Sequence, residues 1–292
     1  MKNFEKKITF IIVSYNSNHI IENCLLSIKS NIKIIVIENS KNHYFKIYLE
    51  KKFPNVKVII SGKNLGYGAG NNLGVLAAKT PYVFILNPDT ELKKNSLKEL
   101  YSAITILKNQ FTILAPNLLN NYGYFTKQKK EKKLTEKKLL EVDYVKGFAM
   151  LINLKNTRFL NKQKLFDKNF FLFLEEIDLC KRINKLGGKI FIAIRSEIKH
   201  TARSASGYNL RIELCRNWHW MWSLFYYNKK HFGTFVAYKI TFQKFISSII
   251  KLFFAIIFFN KKKIFIHFYR LFGLCNAYLK KSSWLRPEDV LV

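Results

Sequence analysis

The sequence predicts an α/β fold in which a mostly parallel central sheet is flanked by helices and followed by a carboxy-terminal helical, membrane-associating extension. Three observations carry this expectation. Short β-branched or aromatic runs recur through the first 115 residues, separated by segments long enough for a helix, as in βαβ units. These runs lack polar alternation, as strands covered on both faces do. From about residue 210 the pattern turns helical, aromatic and basic.

The strand runs are "ITFIIV" (8–13), "KIIVI" (33–37), "VKVII" (56–60), "YVFIL" (82–86) and "FTILA" (111–115). After the first four come "SYNS", "ENS", "SGKNLGYGAGNN" and "NPDT", small, polar or acidic residues at the strand ends where open α/β sheets bind ligands. Residues 127–146 hold eight lysines and four acids and read as a solvated loop or short exposed helix. "DYVKGFAMLINL" returns to strand-like sequence. "EEIDLCKRINKLGGKI" reads as a helix stopped at Gly187-Gly188 and followed by a strand. Two domains are expected, a catalytic domain over 1–210 and a basic, aromatic, amphipathic helical region over 211–292.

Charge and cysteine usage bound the partners. The chain carries 50 Lys plus Arg against 19 Asp plus Glu, a formal net charge of +31, which calls for an anionic partner or surface. Residues 210–281 hold thirteen Lys or Arg and one acid, Glu213, interleaved with aromatics, a mixture suited to a membrane surface. Within it, "ITFQKFISSIIKLFFAIIFF" (240–259) places Lys244, Ser247, Ser248 and Lys251 on one helical face, so it is read as lying in the headgroup region instead of crossing the bilayer. Cys24, Cys180, Cys215 and Cys275 lie too far apart for a zinc or redox motif, and a reducing compartment is expected. The apolar run after the amino-terminal lysines is shorter than a signal peptide's core, so the chain is expected to stay in the cytosol.

Several residues carry chemistry. Asp89 either caps a turn or holds a divalent cation beside a diphosphate, Mg²⁺ or Mn²⁺ being suited to hard oxygen ligands. Gly66, Gly68 and Gly70 run G-x-G-x-G after the third strand, which departs from the dinucleotide fingerprint, and no Walker A sequence is present. Glu175, Glu176 and Asp178 open a helix. First-turn acids stabilise a helix by about 0.3–1 kcal/mol each, but three within four positions repel one another and suit a base or a metal ligand. Helical geometry turns 175 and 178 to similar faces and 176 away. His200 follows another strand-like segment and is either structural or a metal ligand.

The ordered set "IIVSYNS", "VIENS", "NLGYGAGNNLGV", "YVFILNPDTEL", "VKGFAMLI", "FFLFLEEIDLCKR" and "IKHTARSAS" resembles glycosyltransferase family 2, with its GT-A fold, and within it the rhamnosyltransferase-like enzymes of bacterial polysaccharide assembly. The resemblance implies that Ser14, Tyr15 and Asn16 line the donor nucleotide pocket with Asn64, Gly66 and Asn87, and that Glu38 stands where an aspartate usually contacts the base. It implies Asp89 as the metal-holding aspartate with His200 beside it and Glu176 as the catalytic base; Glu175, Asp178, Lys146 and Gly147 are read as acceptor or site support. An inverting hexosyl transfer follows, with rhamnose from dTDP-rhamnose as the best donor, a polyprenyl-diphosphate-linked glycan as acceptor and Mg²⁺ or Mn²⁺ as cofactor. The enzyme would sit peripherally on the inner face of the cell membrane. Two other readings stand beside it, an inactive membrane-associated scaffold and a nucleic-acid-binding module; the latter lacks a recognition motif.

Overall fold

A computed structural model describes residues 2–118, 138–157, 165–201, 205–206 and 209–291. The chain divides into a sheet unit, residues 1–167 and 176–207, and a helical unit, residues 168–175 and 208–292. The sequence division at 210 differs from this at 168–175, the aromatic stretch that precedes Glu176.

In the sheet unit the elements run α1 (Lys2–Glu5), β1 (Ile8–Ser14), α2 (Ile21–Leu26), β2 (Lys33–Glu38), α3 (His43–Lys52), β3 (Val56–Ile60), α4 (Tyr67–Ala77), β4 (Tyr82–Leu86), β5 (Thr90–Leu92) and α5 (Ser96–Ile106). They continue with β6 (Ile113–Leu118), β7 (Leu139–Glu141), β8 (Ala149–Asn153), α6 (Glu175–Lys185) and β9 (Ile190–His200). The nine strands order as β3-β2-β1-β4-β8-β6-β9-β5, with β7 also pairing β9. β1 to β4 are parallel to their neighbours, β8 runs antiparallel between β4 and β6, and β6 pairs parallel with β9. Six strands therefore point one way. The apolar runs bury because helices cover them: Ile8, Phe10, Ile11 and Ile12 of β1 and Val83, Phe84 and Ile85 of β4 are fully inside. Of the lysine-rich stretch expected to be a solvated loop, residues 127–137 lie outside the described residues, and 139–141 form β7 against β9.

α4 rides close over β1, and two of its glycines make that approach possible. A Cβ at Gly74 would stand 2.4 Å from Ile11 Cγ2, and one at Gly70 would stand 3.0 Å from Val13 Cγ1. The glycine-rich run thus serves helix-on-sheet packing as well as the turn that precedes it.

The helical unit is built from α7 (Leu210–Phe232), α8 (Thr234–Ile257) and α9 (Lys261–Tyr278). Asparagines start two of them: Asn209 Oδ1 accepts from the backbone of Arg211 at 2.8 Å, and Asn260 Oδ1 from that of Lys263 at 3.1 Å. Gly233, at φ 89°, breaks α7 from α8. Its core gathers Leu214, Trp218, Met221 and Phe225 of α7 with Leu274 and Ala277 of α9, and Phe171 from the 168–175 segment. A Cβ at Gly273 would meet Trp218 O at 2.3 Å, so α9 crosses α7 where only hydrogen fits.

The buried face of α8 consists of Ala237, Thr241, Ser248 and Ala255, while Phe235, Phe242, Ile249, Phe253, Phe254 and Ile257 are exposed. This inverts the arrangement of a water-soluble helix. Its 24 residues, with a mean hydropathy of 1.7 over their most apolar 18, are long and apolar enough to cross a membrane.

Candidate active site

Sheet topology brings the carboxyl ends of β1, β2 and β4 to one edge, and the residues beyond them form two hydrogen-bonded groups. The first surrounds Glu38. Its Oε1 accepts from the Ser40 backbone at 2.6 Å and from the Ser40 hydroxyl, while Asn16, held in the left-handed region at φ 53°, donates its N–H to Ser40 Oγ at 3.2 Å. Tyr15 donates its N–H to Ser17 Oγ, which closes the turn after β1. Asn39 donates its backbone N–H to Ser14 O at 2.8 Å and its side-chain amide to Gly66 O at 3.2 Å. Asn64 accepts from the Gly66 N–H at 3.1 Å, setting the turn in which Gly66 takes φ 80° before α4 begins. Local turn-making thus uses the Asn64 carbonyl.

The second group surrounds Asp89. β8 pairs antiparallel with β4, Leu86 opposite Ala149, and the Asn87 N–H donates to Phe148 O at 2.9 Å, so Lys146, Gly147 and Phe148 arrive beside the Asn-Pro-Asp turn. β5 pairs with β9 so that Thr90 faces His200, and Thr201 donates both its N–H and its hydroxyl to Asp89 O at 3.1 Å. These strands place His200 Nε2 3.3 Å from Asp89 Oδ1. Tyr67, in the first turn of α4, donates its hydroxyl to Gly147 O and joins the two groups.

Among the described residues of the sheet unit, the buried side-chain oxygens with no hydrogen-bond partner are Ser14 Oγ, Glu38 Oε2, Asn39 Oδ1, Asn71 Oδ1, Asp89 Oδ1 and Thr90 Oγ1. Each lies at or just past the end of β1, β2 or β4, or on α4. Buried polar atoms are ordinarily satisfied, because leaving one unpaired costs about 1–3 kcal/mol. Gathered at one sheet edge, they describe a surface shaped for a polar ligand.

The three acids of α6 separate as the helical period requires. Glu175 and Asp178 are buried, whereas Glu176 is half-buried. Asp178 forms a 2.8 Å ion pair with Arg182, whose guanidinium also reaches Leu165 O, so this carboxylate is engaged in holding α6. Burial raises the pKa of Glu176 above the ordinary carboxylate value, opposed by backbone N–H groups of Glu176, Ile177 and Gly147 and by the charge of Lys146. Just before α6, Phe173 and Leu174 both hold positive φ, 71° and 68°, a conformation that costs non-glycine residues about 1–2 kcal/mol each.

The aromatic run before Glu176 does not pass through the sheet core, as a buried stretch leading to the site would. Phe170 packs edge-on against Tyr226, Phe171 lies 4.5 Å from His219, and Phe173 meets Trp220, all within the helical unit. Sequence reasoning also passed over Tyr67, Phe148, Asn39 and Asn71. Asn39 and Asn71 stand inside motifs it had marked, "ENS" and "GAGNN", but an asparagine in a turn signals nothing until its amide is seen buried and unsatisfied. Phe148 in "VKGFAMLI" reads as core until His200 is found stacked on it.

An α/β sheet of this order, flanked by helices and with polar groups collected at the ends of its parallel strands, defines the GT-A fold. The chain belongs to Glycosyl transferase family 2, whose profile matches residues 9–172. Glu176 and His200 lie beyond that matched stretch, so their placement rests on the geometry above. Among curated proteins, the chain is similar to the low-salt glycan biosynthesis hexosyltransferase Agl10 of Haloferax volcanii, 27% identical over 199 residues. That match covers 61% of this chain and 62% of the length of Agl10. Two solved structures share the fold: GalNAc-T7 with UDP, GalNAc and Mn²⁺, at TM-score 0.56 and 15% identity over 77% of this chain and 50% of that one, and Staphylococcus aureus TarS 1–349, at TM-score 0.52 and 12% identity over 94% and 92%. The same TarS fragment in complex with UDP-GlcNAc matches at TM-score 0.51 and 12% identity over the same shares of the two chains.

Proposed function

We propose that this protein is an inverting glycosyltransferase that moves a hexosyl group from a nucleotide diphosphate to a hydroxyl of a lipid-linked glycan. The observation that carries the reading is the set of buried, unsatisfied oxygens along the ends of β1, β2 and β4, beside a carboxylate whose pKa is raised. The nucleotide would lie over Ser14 to Asn16, with Glu38 Oε2 free to accept from the base and Asn64, Gly66 and Asn87 along its length. Structures sharing the fold were solved with UDP or UDP-GlcNAc, which supports a nucleotide-sugar donor.

Glu176 is the base. Its raised pKa makes the carboxylate a stronger proton acceptor at neutral pH, and general-base assistance is worth about 10²- to 10⁴-fold. The acceptor hydroxyl gives its proton to the Glu176 carboxylate as its oxygen attacks the anomeric carbon, and the bond to the nucleotide diphosphate breaks on the opposite face. Lys146 limits how far burial raises the carboxylate. Tyr67, through Gly147 O, fixes the loop that carries Lys146.

Asp89 Oδ1, buried and without a hydrogen bond, and His200 Nε2 beside it suit a divalent cation. Among the described residues no third His, Cys, Asp or Glu converges on them, which fits Mg²⁺ or Mn²⁺ completed by phosphate oxygens and water. When bound, the ion neutralises charge on the departing diphosphate. GalNAc-T7, of the same fold, was solved with Mn²⁺.

Rhamnose from dTDP-rhamnose is the donor we favour, on the Asn-Pro-Asp form of the turn at 87–89. The apolar exposed face of α8, with Lys239, Lys244 and Lys251 on the helix and Lys261 to Lys263 at the start of α9, supports peripheral attachment to an anionic inner leaflet, where a polyprenyl-diphosphate-linked acceptor resides.

The test is a panel of nucleotide sugars, dTDP-rhamnose among them, screened with Mg²⁺ or Mn²⁺ for thermal stabilisation and for nucleotide diphosphate release. One donor should stabilise and turn over only with metal, and its product should show inverted anomeric configuration. If no nucleotide sugar stabilises or is consumed under any metal, the reading fails.

A further inference from the structure

The helical unit contains a cleft of about 650 Å³ that the reaction does not use. Its lining includes Lys168, Lys229, Lys280, Lys281 and Arg286, and no carboxylate among the described residues. Its volume falls within the range of small-molecule sites, about 300–1,000 Å³, and exceeds what a lone inorganic phosphate needs.

The walls of this cleft are pinned by hydrogen bonds. Trp222 Nε1 donates to Lys281 O at 2.9 Å, Trp284 Nε1 to Asn276 Oδ1 at 3.2 Å, and Asn169 Nδ2 to the Tyr226 hydroxyl at 2.9 Å. Arg286 lies 3.9 Å over the Phe171 ring and donates to the carbonyls of Ser283 and Leu285, contacts that fix the guanidinium in place. Its burial lowers the guanidinium pKa, the mark of a partly dehydrated cation. The charges of two neighbouring acids, Glu288 and Asp289, favour the guanidinium; Asp289 also accepts the Arg286 backbone N–H, and both acids lie outside the lining.

Lys280 lines the same cleft. It ends α9 in the left-handed conformation, φ 57°, with its N–H on Ala277 O and the Lys281 N–H on Asn276 O. Glycine is the ordinary residue at such a helix end, because a side chain there costs about 1 kcal/mol.

We propose that this cleft binds a phosphate or diphosphate ester, the anionic head of a lipid carrier, with the aromatic walls beside it taking the first apolar segment. This rests on the reading of the protein as acting on a lipid-linked acceptor, and it adds where the acceptor's charged end is held. Cations clustered around one cleft select multiply charged phosphate over singly charged headgroups because each adds a charge-assisted hydrogen bond.

The full chain is mixed with phosphatidylcholine vesicles carrying a polyprenyl diphosphate, and with vesicles matched in charge by phosphatidylglycerol. The wild type should favour the diphosphate vesicles about tenfold or more. The combined variant Lys229→Gln, Lys280→Gly, Lys281→Gln should lose that preference while binding phosphatidylglycerol vesicles as before; the glycine relieves the strained φ, so folding is preserved. Inorganic diphosphate should abolish the preference when added in excess. A preference that survives in the variant overturns the proposal, as does its absence in the wild type. Saturable binding of inorganic diphosphate without any vesicle preference overturns the lipid assignment. Stabilisation by nucleotide sugars, read in the same samples, reports on the sheet unit, so failure of the glycosyltransferase reading is distinguishable from failure of the cleft.

Discussion

The imidazole of His200 lies face to face with the ring of Phe148, centroids 4.4 Å apart and planes 21° from parallel. The stack orients the nitrogen that stands 3.3 Å from Asp89 Oδ1. Phe148→Leu should leave the fold intact and raise the Mn²⁺ concentration for half-maximal donor stabilisation by about tenfold, since groups that orient a ligand typically contribute 10- to 100-fold. His200→Ala should raise it further. Unchanged metal dependence in both variants would remove His200 from the cation site.

Glu176→Gln should lower the transfer rate by about 10²- to 10⁴-fold and leave donor stabilisation unchanged. Because burial raises the Glu176 pKa, the base becomes active only as pH climbs through a value above the ordinary 4.5, so the rising limb of the rate profile should lie higher than for an exposed carboxylate. Lys146→Met removes a charge that favours the carboxylate and should move that limb to still higher pH. A raised folded-state pKa on an acid also means that stability falls as pH rises through it. Glu176→Gln should therefore be more stable than wild type at pH 7, which differential scanning calorimetry would show.

Gly74→Ala should destabilise the sheet unit by about 1–3 kcal/mol, because the added methyl would lie 2.4 Å from Ile11 Cγ2 in a packed core. Chemical denaturation followed by far-UV circular dichroism would measure it. A neutral or stabilising result would mean that α4 lifts freely from β1.

All four tryptophans, at 218, 220, 222 and 284, lie in the helical unit, so their fluorescence reports on that unit alone. His219 is buried in α7 with Nε2 2.8 Å from Leu285 O, and burial lowers its pKa from 6.5 to about 3. Between these values the unfolded chain binds a proton that the folded one refuses. The stability of this unit should be complete above pH 6.5 and decline progressively as pH falls from there toward 3. His219→Gln should flatten the decline in a fluorescence-monitored denaturation series.

Phe235, Phe253 and Phe254 are exposed on α8. Replacing all three with serine in the full chain should weaken binding to anionic vesicles by at least about tenfold, since each phenyl loses about 1.5–3 kcal/mol of burial in the bilayer interface. Binding should also weaken with salt. Substitution is a cleaner test than removing residues 232–292, because Leu274 and Ala277 of α9 are part of the core around Trp218. Equal vesicle binding by the variant and wild type would place the membrane contact elsewhere.

Much of the sheet was legible in the residues. The runs at 8–13, 33–37, 56–60 and 82–86 match β1 to β4 closely, since a strand covered on both faces must be apolar throughout. The run at 111–115 became β6, shifted to Ile113–Leu118, and the three-residue strands β5 and β7 went unseen because they are too short to carry a pattern. The separation of Glu176 from Glu175 and Asp178 followed from the helical period alone.

The sequence by itself determined where the first four strands lie, which residues could bear charge or bind a cation, and that the last eighty residues differ in kind from the rest. Tertiary structure alone decided that β8 enters between β4 and β6 and so delivers Lys146 and Gly147 to Glu176, that β5 and β9 set His200 against Asp89, and that the aromatic run at 170–173 belongs to the helical unit. The reason is physical. Local pattern reports how a segment satisfies its own backbone and whether it prefers to be buried, but apolar side chains accept any apolar surroundings, and only long-range strand pairing and packing choose which partner a buried residue meets.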